Sequence, residues 1–250
     1  MLASAAFVTV LYAGSLVTPM EGPISHALAT HGITFQGEGR GSREIANFVV
    51  AGLRNPDVVI CVDPSIVTGL TRRGFVARSW TFGSATLGIG WTMKSRDFLF
   101  FDEVEGGRQP LADQLREFEG TDVRIARTDP RLDPKGAYTL EAMRMLMGAV
   151  GERRLLGNDE NPAQVFPEQD LLVRLETGEA DFGFVYSTEA RARGLGFIPL
   201  PGRASLSDKI RYTVAILKGA PHPQAARAFV DFILHGEGRQ ILKNAGITYL

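Results

Sequence analysis

The chain has few of the residues that build covalent or metal-held structures. It contains one cysteine, Cys61, among 250 residues, which excludes an intrachain disulfide and any multi-cysteine metal site. Cys61 lies in a predicted strand, where a buried structural thiol is favoured over a nucleophile. The histidines fall in predicted loops or helix ends at spacings that build no metal face, so we expect solvated surface positions for all four: His26, His31, His222 and His235.

Neither an excess of charge nor a long apolar run is present. The formal net charge of −1 argues against nucleic acid or an anionic membrane as a partner, because both need a clustered positive field. No apolar run reaches the roughly 18 residues that cross a bilayer, so we predict no membrane insertion. Hydrophobic residues make up 44% and charged residues 22% of the chain, which suits one large core or two smaller ones.

The common enzyme signatures are also missing. There is no phosphate-binding Walker element, no G-x-S-x-G nucleophile elbow and no H-E-x-x-H zinc motif. The segment GEGRGS at 37–42 resembles a dinucleotide fingerprint, but Ser42 stands where the third glycine is required. No acidic residue follows in the ribose-binding place either. We therefore expect no catalytic residues and no cofactor.

What the chain does have is a succession of strand and helix patterns. The run FVTVLYAGSL at 7–16 reads as a buried strand that ends at Gly14 and Ser15, and strands are also predicted at 33–37 and 57–64. Between the last two, an amphipathic helix begins with Ser42 in the N-cap position. Strand, helix and strand at this spacing indicate a parallel sheet.

A second α/β series follows a glycine-rich strand at 84–92 and a polar stretch at 94–110. It is predicted to contain a strand at 122–128, helices at 138–150 and 167–178, and strands at 180–186 and 196–201, before a strand at 210–217 and two closing helices. We predict an α/β fold of two lobes, each a mixed, mostly parallel sheet flanked by helices. Residues 1–92 with 205–250 form lobe 1 and residues 93–204 form lobe 2. Two chain crossings between lobes would form a hinge, with a ligand cleft between the lobes.

Several segments together carry a family resemblance: LYAGSL (11–16), GEGRGSREIA (37–46), DPKGAY (133–138), LETGEADFGFVYSTEA (175–190) and AARAFVDFILHGEGRQIL (225–242). In this order and at these separations, the chain resembles the periplasmic molybdate/tungstate-binding proteins of ABC importers, within the type II solute-binding superfamily. The resemblance spans nearly the whole chain. It implies a site for a tetrahedral dianion.

The resemblance also implies the binding residues. Ser15 and Ser42 would donate hydroxyl and backbone N–H bonds from lobe 1, and Tyr186 would supply a phenol from lobe 2. Lys135 and Glu168 occupy positions where the family offers a backbone N–H to the anion. Secondary contacts are implied for the neighbouring positions Gly14, Gly41, Asp133 and Gly136. Donors at helix starts and strand ends suit a dianion held without a countercharge.

Each of these residues also has an ordinary structural interpretation. Ser42 could be a plain helix cap, Ser15 a turn residue and Tyr186 a core aromatic. The Lys135 side chain could bond the anion or point into solvent, and we favour solvent. Asp133 could cap the following helix near Gly136, bond to a hinge residue, or be a turn acid.

One departure from the family bears on coordination. In an archaeal branch, two carboxylates approach the metal of the oxyanion. The first resembles Asp133, but the second would fall at Val185, where this chain has no carboxylate. We therefore expect a tetrahedral oxyanion held by hydrogen bonds, with no bare metal ion in the site.

The resemblance further implies a monomer that delivers molybdate or tungstate to the permease of an ABC importer. The location would be periplasmic or anchored at the cell surface, with an export signal that is not part of this sequence. The alternatives are another ligand on the same fold (sulfate, phosphate or a small organic anion) or an enzyme that uses Asp133 or Glu168 as a general base. Phosphate is disfavoured because its protonated form needs an acceptor.

Overall fold

The structure is a computed structural model that describes residues 6–97, 101, 103–104 and 110–250. The first five residues and most of the polar stretch at 94–110 lie outside the described residues. The chain divides into two compact units. The first unit comprises Met1–Ala85 and Lys209–Leu250, and the second comprises Thr86–Asp208.

Strands and helices alternate through much of the chain. The strands are β1 (Ala6–Ala13), β2 (Ile33–Arg40), β3 (Val58–Val62), β4 (Val76–Ser84), β5 (Leu87–Trp91), β6 (Ile125–Ala126), β7 (Phe182–Tyr186), β8 (Gly196–Pro199), β9 (Arg211–Leu217) and β10 (Thr248–Tyr249). Among the described residues, the helices of six or more residues are α1 (Ser25–Thr30), α2 (Ser42–Val50), α3 (Pro64–Arg72), α4 (Leu111–Glu117), α5 (Pro134–Leu156), α6 (Glu168–Thr177), α7 (Ser187–Arg193), α8 (Pro223–Leu234) and α9 (Glu237–Asn244). Short helical turns cover Gly14–Leu16, Val17–Pro19, Met20–Ile24 and Gly202–Ser205.

The first unit is built on a six-stranded sheet with the order β10-β4-β9-β3-β1-β2. One face packs against α2 and α3 through a cluster of apolar side chains: Leu11, Ile45, Val49, Val59, Cys61, Val67, Leu70, Val76, Ala215 and Leu217. On the other face, Phe229 of α8 stacks on Phe35 of β2, with ring centroids 6.0 Å apart. Because both faces are covered, β1 and β3 are nearly continuous apolar runs.

The second unit contains a four-stranded sheet with the order β6-β7-β5-β8. Leu171, Leu172 and Leu175 of α6 pack with Val185 of β7 in a buried cluster. Aromatic rings fill another part of this unit, where Phe182 contacts the rings of Phe101, Phe118 and Phe184. The amphipathic face of α6 predicted from its leucines is therefore the buried face.

The mixed α/β fold is confirmed, but strand direction differs from the prediction. In the first unit β1 runs parallel to β2 and β3, whereas β3–β9, β4–β9 and β4–β10 are antiparallel. In the second unit β6–β7 is parallel, and β5 pairs antiparallel with β7 and β8. Antiparallel pairings therefore outnumber parallel ones, because the return segment β9 enters the first sheet beside β3 in the opposite direction.

Two sequence patterns misled the prediction of single strands. The glycine-rich segment at 84–92 contains the end of β4 and all of β5, which belong to different sheets. The strand predicted at 122–128 is paired within the sheet at Ile125–Ala126, and Arg127 forms an isolated parallel bridge with Val165. Beyond it, the backbone of Arg127 bonds to Gln164 and Phe166 in a loop. Local alternation carries no information on which segment will be the partner.

Among the described residues, no helix combines the length and apolar character needed to cross a membrane.

Candidate functional site

Ser15 lies at the carboxyl end of β1, where the strand turns into the helical segment Gly14–Leu16. Its side chain is buried, and its Oγ lies 3.1 Å from the hydroxyl of Tyr212 on β9. A hydroxyl pair of this kind shares one hydrogen bond and leaves the second proton for another acceptor. Tyr212 was not singled out from the sequence, because one tyrosine in an apolar strand carries no signal beyond packing.

Ser42 lies just beyond β2, the parallel neighbour of β1, as the first residue of α2. The predicted N-cap role is wrong: Gly41 is the N-cap, and no side chain caps this helix end. The Ser42 Oγ instead accepts a hydrogen bond from the Val62 N–H at 2.9 Å. Ser42 therefore ties α2 to the end of β3, and its hydroxyl proton is left to donate elsewhere.

Both serines thus stand at the carboxyl edge of adjacent parallel strands. In open α/β sheets, this edge is where ligands bind. Both side chains are at most 5% exposed, so an anion that reached them would leave water. Both hydroxyls therefore lie at the ends of strands of the first unit, and their role in binding stays a prediction.

Asp133 caps the start of α5 in the second unit. Its Oδ1 accepts a hydrogen bond from the Lys135 N–H at 2.9 Å, and Pro134 occupies the first turn. Of the interpretations considered for Asp133, helix capping is the one observed. The cap also means that the backbone N–H proposed for the anion at Lys135 already has an acceptor.

The Lys135 side chain does not point into solvent, so that expectation is wrong. It is fully buried, with Nζ 2.6 Å from Glu189 Oε1 and 3.2 Å from Glu168 Oε1. The three residues come from the starts of α5, α6 and α7. A buried ammonium needs such partners, because desolvation without them would cost several kcal/mol.

Tyr186 closes the group at the end of β7. It is 2% exposed, and its ring centroid lies 5.6 Å from Lys135 Nζ. Its backbone N–H donates to Glu189 Oε2 at 2.7 Å. The structure therefore brings together Asp133, Lys135, Glu168 and Tyr186 of the predicted set and adds Glu189.

Glu189 was missed from the sequence although a signal was available. It stands three residues after Tyr186, the residue that precedes α7. A glutamate at that spacing reaches back to the N-cap backbone N–H, as in a capping box. Here the same carboxylate also binds Lys135 through its second oxygen.

The charged side chains around Lys135 shift one another's pKa values. Burial raises the pKa of Glu168 well above its usual value, and the charges of Glu189 and Asp133 add to the rise despite the opposing effect of Lys135. Burial likewise raises the pKa of Asp133 against the effect of Lys135. For Lys135 burial alone would lower the pKa, but the surrounding carboxylates outweigh it and the pKa is raised. Lys135 is therefore charged, with more carboxyl groups around it than it can neutralise.

Val185 is buried in the apolar cluster of the second unit and supplies no carboxylate. Asp133 nevertheless has other carboxyl groups around it. The charges of Glu189 and Lys135 both shift the pKa of Asp133, and the charge of Asp133 shifts the pKa of Glu168. The neighbouring carboxylates come from α6 and α7, elements distant in sequence.

Among the described residues, no group of three or more His, Cys, Asp or Glu side chains is arranged to hold a metal ion.

Of the histidines, His222 departs from the expected solvated position. Its Nδ1 lies 3.0 Å from Asp57 Oδ2, although its side chain is 41% exposed. This contact lies at the start of α8, away from the serines at the carboxyl ends of β1 and β2. The contact therefore joins the start of α8 to Asp57, the residue before β3.

Comparison with known proteins gives a consistent assignment. A protein of Haloferax volcanii, provisionally assigned as an ABC transporter molybdenum-binding protein, is 28% identical over 80% of this chain and 62% of its own length. The chain thus spans less than two thirds of that relative. The molybdate/tungstate-binding protein WtpA of Pyrococcus abyssi is 22% identical over 84% of this chain and 73% of its own.

A solved structure has a similar fold. The periplasmic molybdate-binding protein of Azotobacter vinelandii superposes with a TM-score of 0.71 at 18% identity, over 96% of this chain and 98% of that one. At this identity the likeness shows the fold alone. The model of one family, described as bacterial extracellular solute-binding protein, matches residues 8–248. The chain therefore belongs to the bacterial extracellular solute-binding protein family.

Proposed function

We propose that this protein is the extracytoplasmic solute-binding component of an ABC importer, and that its solute is a tetrahedral oxyanion, molybdate or tungstate. The observation that carries the proposal is the pair of buried hydroxyls, Ser15 and Ser42, at the carboxyl ends of adjacent parallel strands. Relatives whose names state molybdate or tungstate binding support the choice of anion.

The binding residues follow from what a dianion requires. Each oxygen that leaves water must find a donor, because an unsatisfied buried charge costs far more than a hydrogen bond returns. We propose that Ser15 and Ser42 donate from the first unit and the Tyr186 phenol from the second. Backbone N–H groups at the starts of α5 and α6, near Lys135 and Glu168, would complete the set.

In this proposal Lys135 does not pair directly with the anion. Its ammonium is held by Glu189 and Glu168, so it offsets the negative charge of the carboxylates beside the helix starts. Without it, those carboxylates would repel a dianion. The Asp133 cap would have to release the Lys135 N–H, or the anion would use Gly136 N–H instead.

We further propose that the protein is not an enzyme. The two carboxyl groups considered as general bases, Asp133 and Glu168, are committed to capping α5 and to pairing with Lys135. The partner that would receive the solute is the permease of the importer.

Calorimetric titration tests the proposal. Molybdate and tungstate should bind more tightly than sulfate or phosphate. Ser15→Ala and Tyr186→Phe should each lose about 2 kcal/mol, roughly thirtyfold in Kd, because each removes a hydrogen bond to a charged group. Matched controls are Ser79→Ala, on an exposed position of β4, and Tyr249→Phe, whose hydroxyl bonds to Ile233 O. Unchanged affinity in both site variants, or no heat with any of the four anions, would contradict the proposal.

A further inference from the structure

A groove lies on the α8 face of the first unit's sheet, between α8 and the amino-terminal half of β4. Its volume is about 1010 Å³, and Trp80, Ile216, Val230 and Leu234 supply apolar lining. Trp80 is only partly buried. The groove is thus large enough for several amino-acid side chains.

The strand beside the groove has an open edge. β10 pairs with β4 only at Ser84 and Gly83, and no other described strand joins β4 on that side. Three consecutive residues of β4, positions 77–79, are exposed. Backbone groups on such an edge can pair with a strand from another chain.

The groove is also positively charged. Arg78, Lys218 and Arg227 line it, and none of them makes an ion pair among the described residues. Asp231 is the single acid among the described residues that line the groove. Arg78 lies over the Trp80 ring, with its guanidinium carbon 5.1 Å from the ring centroid. This charge stands out in a chain whose formal net charge is −1.

We propose that this groove binds an extended acidic peptide segment of a partner protein, which adds as a strand to the open edge of β4. The backbone edge would supply hydrogen bonds, the apolar lining would take an apolar side chain, and the three cations would pair with acidic residues. A small anion would use the cations but leave the strand edge open. A membrane surface would not enter a concave groove between a strand and a helix.

The groove is separate from the proposed oxyanion site. Ile216 and Leu217 lie at one end of β9, whereas Tyr212, the partner of Ser15, lies near the other. The peptide proposal therefore does not depend on the identity of the solute.

Calorimetry with a defined probe tests the proposal. The blocked peptide Glu-Val-Glu-Leu-Glu-Val should bind the full chain with micromolar Kd. The double variant Arg78→Glu with Arg227→Glu should weaken binding by about tenfold or more, because both cations become repulsive. The double variant Arg72→Glu with Arg73→Glu makes the same charge change at exposed positions at the end of α3, which packs on the opposite sheet face, and should leave Kd within about twofold of the wild type.

A second probe separates strand addition from simple charge attraction. The same peptide with N-methylated alternate backbone nitrogens keeps its charge but cannot complete the strand pairing, and it should bind about tenfold more weakly. Equal binding of both peptides, equal binding to the Arg78/Arg227 double variant, or no binding at millimolar peptide would overturn the proposal. A second outcome would also overturn it: the wild-type protein co-sediments with phosphatidylglycerol vesicles, the Arg78/Arg227 double variant does not, and neither protein binds the peptide.

Discussion

At the scale of single residues, Lys135 shows how a buried charge is made tolerable. Its ammonium is fully buried between Glu189 and Glu168, so removing it would leave carboxylates buried without a cation. Lys135→Met should therefore lower the free energy of unfolding by about 3–5 kcal/mol. Arg116→Met, which removes an exposed pair with Asp113, should cost less than about 1 kcal/mol.

Urea unfolding of the two variants measures the difference. A cost for Lys135→Met no larger than that for Arg116→Met would mean that the fold tolerates the neighbouring buried carboxyl groups without the lysine. The electrostatic account of the group would then be wrong.

Gly136 gives a second prediction at this scale. In the middle of a helix, Gly→Ala is ordinarily stabilising by about 0.5–1 kcal/mol. At Gly136, however, an added Cβ would collide with the Thr128 carbonyl oxygen and the backbone at Asp129 and Pro130. Gly136→Ala should thus destabilise the protein by about 1–3 kcal/mol, through overpacking against a backbone that cannot yield easily.

Gly69 in α3 is the matched control, because a Cβ there would meet nothing within 4 Å. Gly69→Ala should raise the thermal midpoint while Gly136→Ala lowers it. Stabilisation by both substitutions would show that the loop at 128–130 moves aside.

At the scale of elements, Asp57 joins three segments of the first unit. One carboxylate oxygen accepts from the Thr9 N–H and hydroxyl, both at 2.8 Å, and the other accepts from the His222 N–H. The residue stands just before β3, while its partners belong to β1 and to the start of α8. Burial alone would raise the pKa of Asp57, but these hydrogen bonds outweigh it and the pKa is lowered.

A lowered pKa fixes the sign of the pH dependence. The stabilisation from Asp57 is present above the usual aspartate pKa of about 4 and is lost as the pH falls through the lower folded-state value. Asp57→Asn should therefore cost about 2–3 kcal/mol at pH 7 and progressively less toward pH 2. Chemical unfolding at both pH values measures this, and an equal cost at the two would contradict it.

Sequence patterns predicted the local properties of strands and helices better than the contacts between them. The apolar run of β1 and the leucine face of α6 are local properties, and both were predicted. The N-cap of α2 was misplaced by one residue, since a serine that follows a glycine can cap or begin a helix equally well. The pairing of β4 with β9 and the grouping of Glu189 with Lys135 depend on contacts between distant segments, which periodicity does not encode.

At the scale of the whole molecule, the chain leaves the first unit after Ala85 and returns at Lys209. The Ala85 N–H donates to the Ile210 carbonyl, so the outgoing and returning segments are hydrogen-bonded neighbours in the first unit. Two chain crossings were predicted from the order of the two α/β series, with lobe boundaries at 92/93 and 204/205. The antiparallel entry of β9 was not, because an apolar strand reads the same in either direction.

Fluorescence of single-tryptophan variants tests whether both units contribute to binding. The chain has two tryptophans, with Trp80 in the first unit and Trp91 in the second. Trp91→Phe and Trp80→Phe therefore give fluorescence reporters of the first and second unit, respectively. A ligand at about 100 times its Kd stabilises the state that binds it by about 2.7 kcal/mol, which corresponds to roughly 5–10 °C for a chain of this size.

If Ser15 and Tyr186 hold the same molybdate ion, both units gain that stabilisation, and both reporters should shift upward by similar amounts. Adding Ser15→Ala to either reporter should shrink both shifts together. A shift confined to one reporter would place the anion within a single unit, and the proposal that hydroxyls of both units share it would fail.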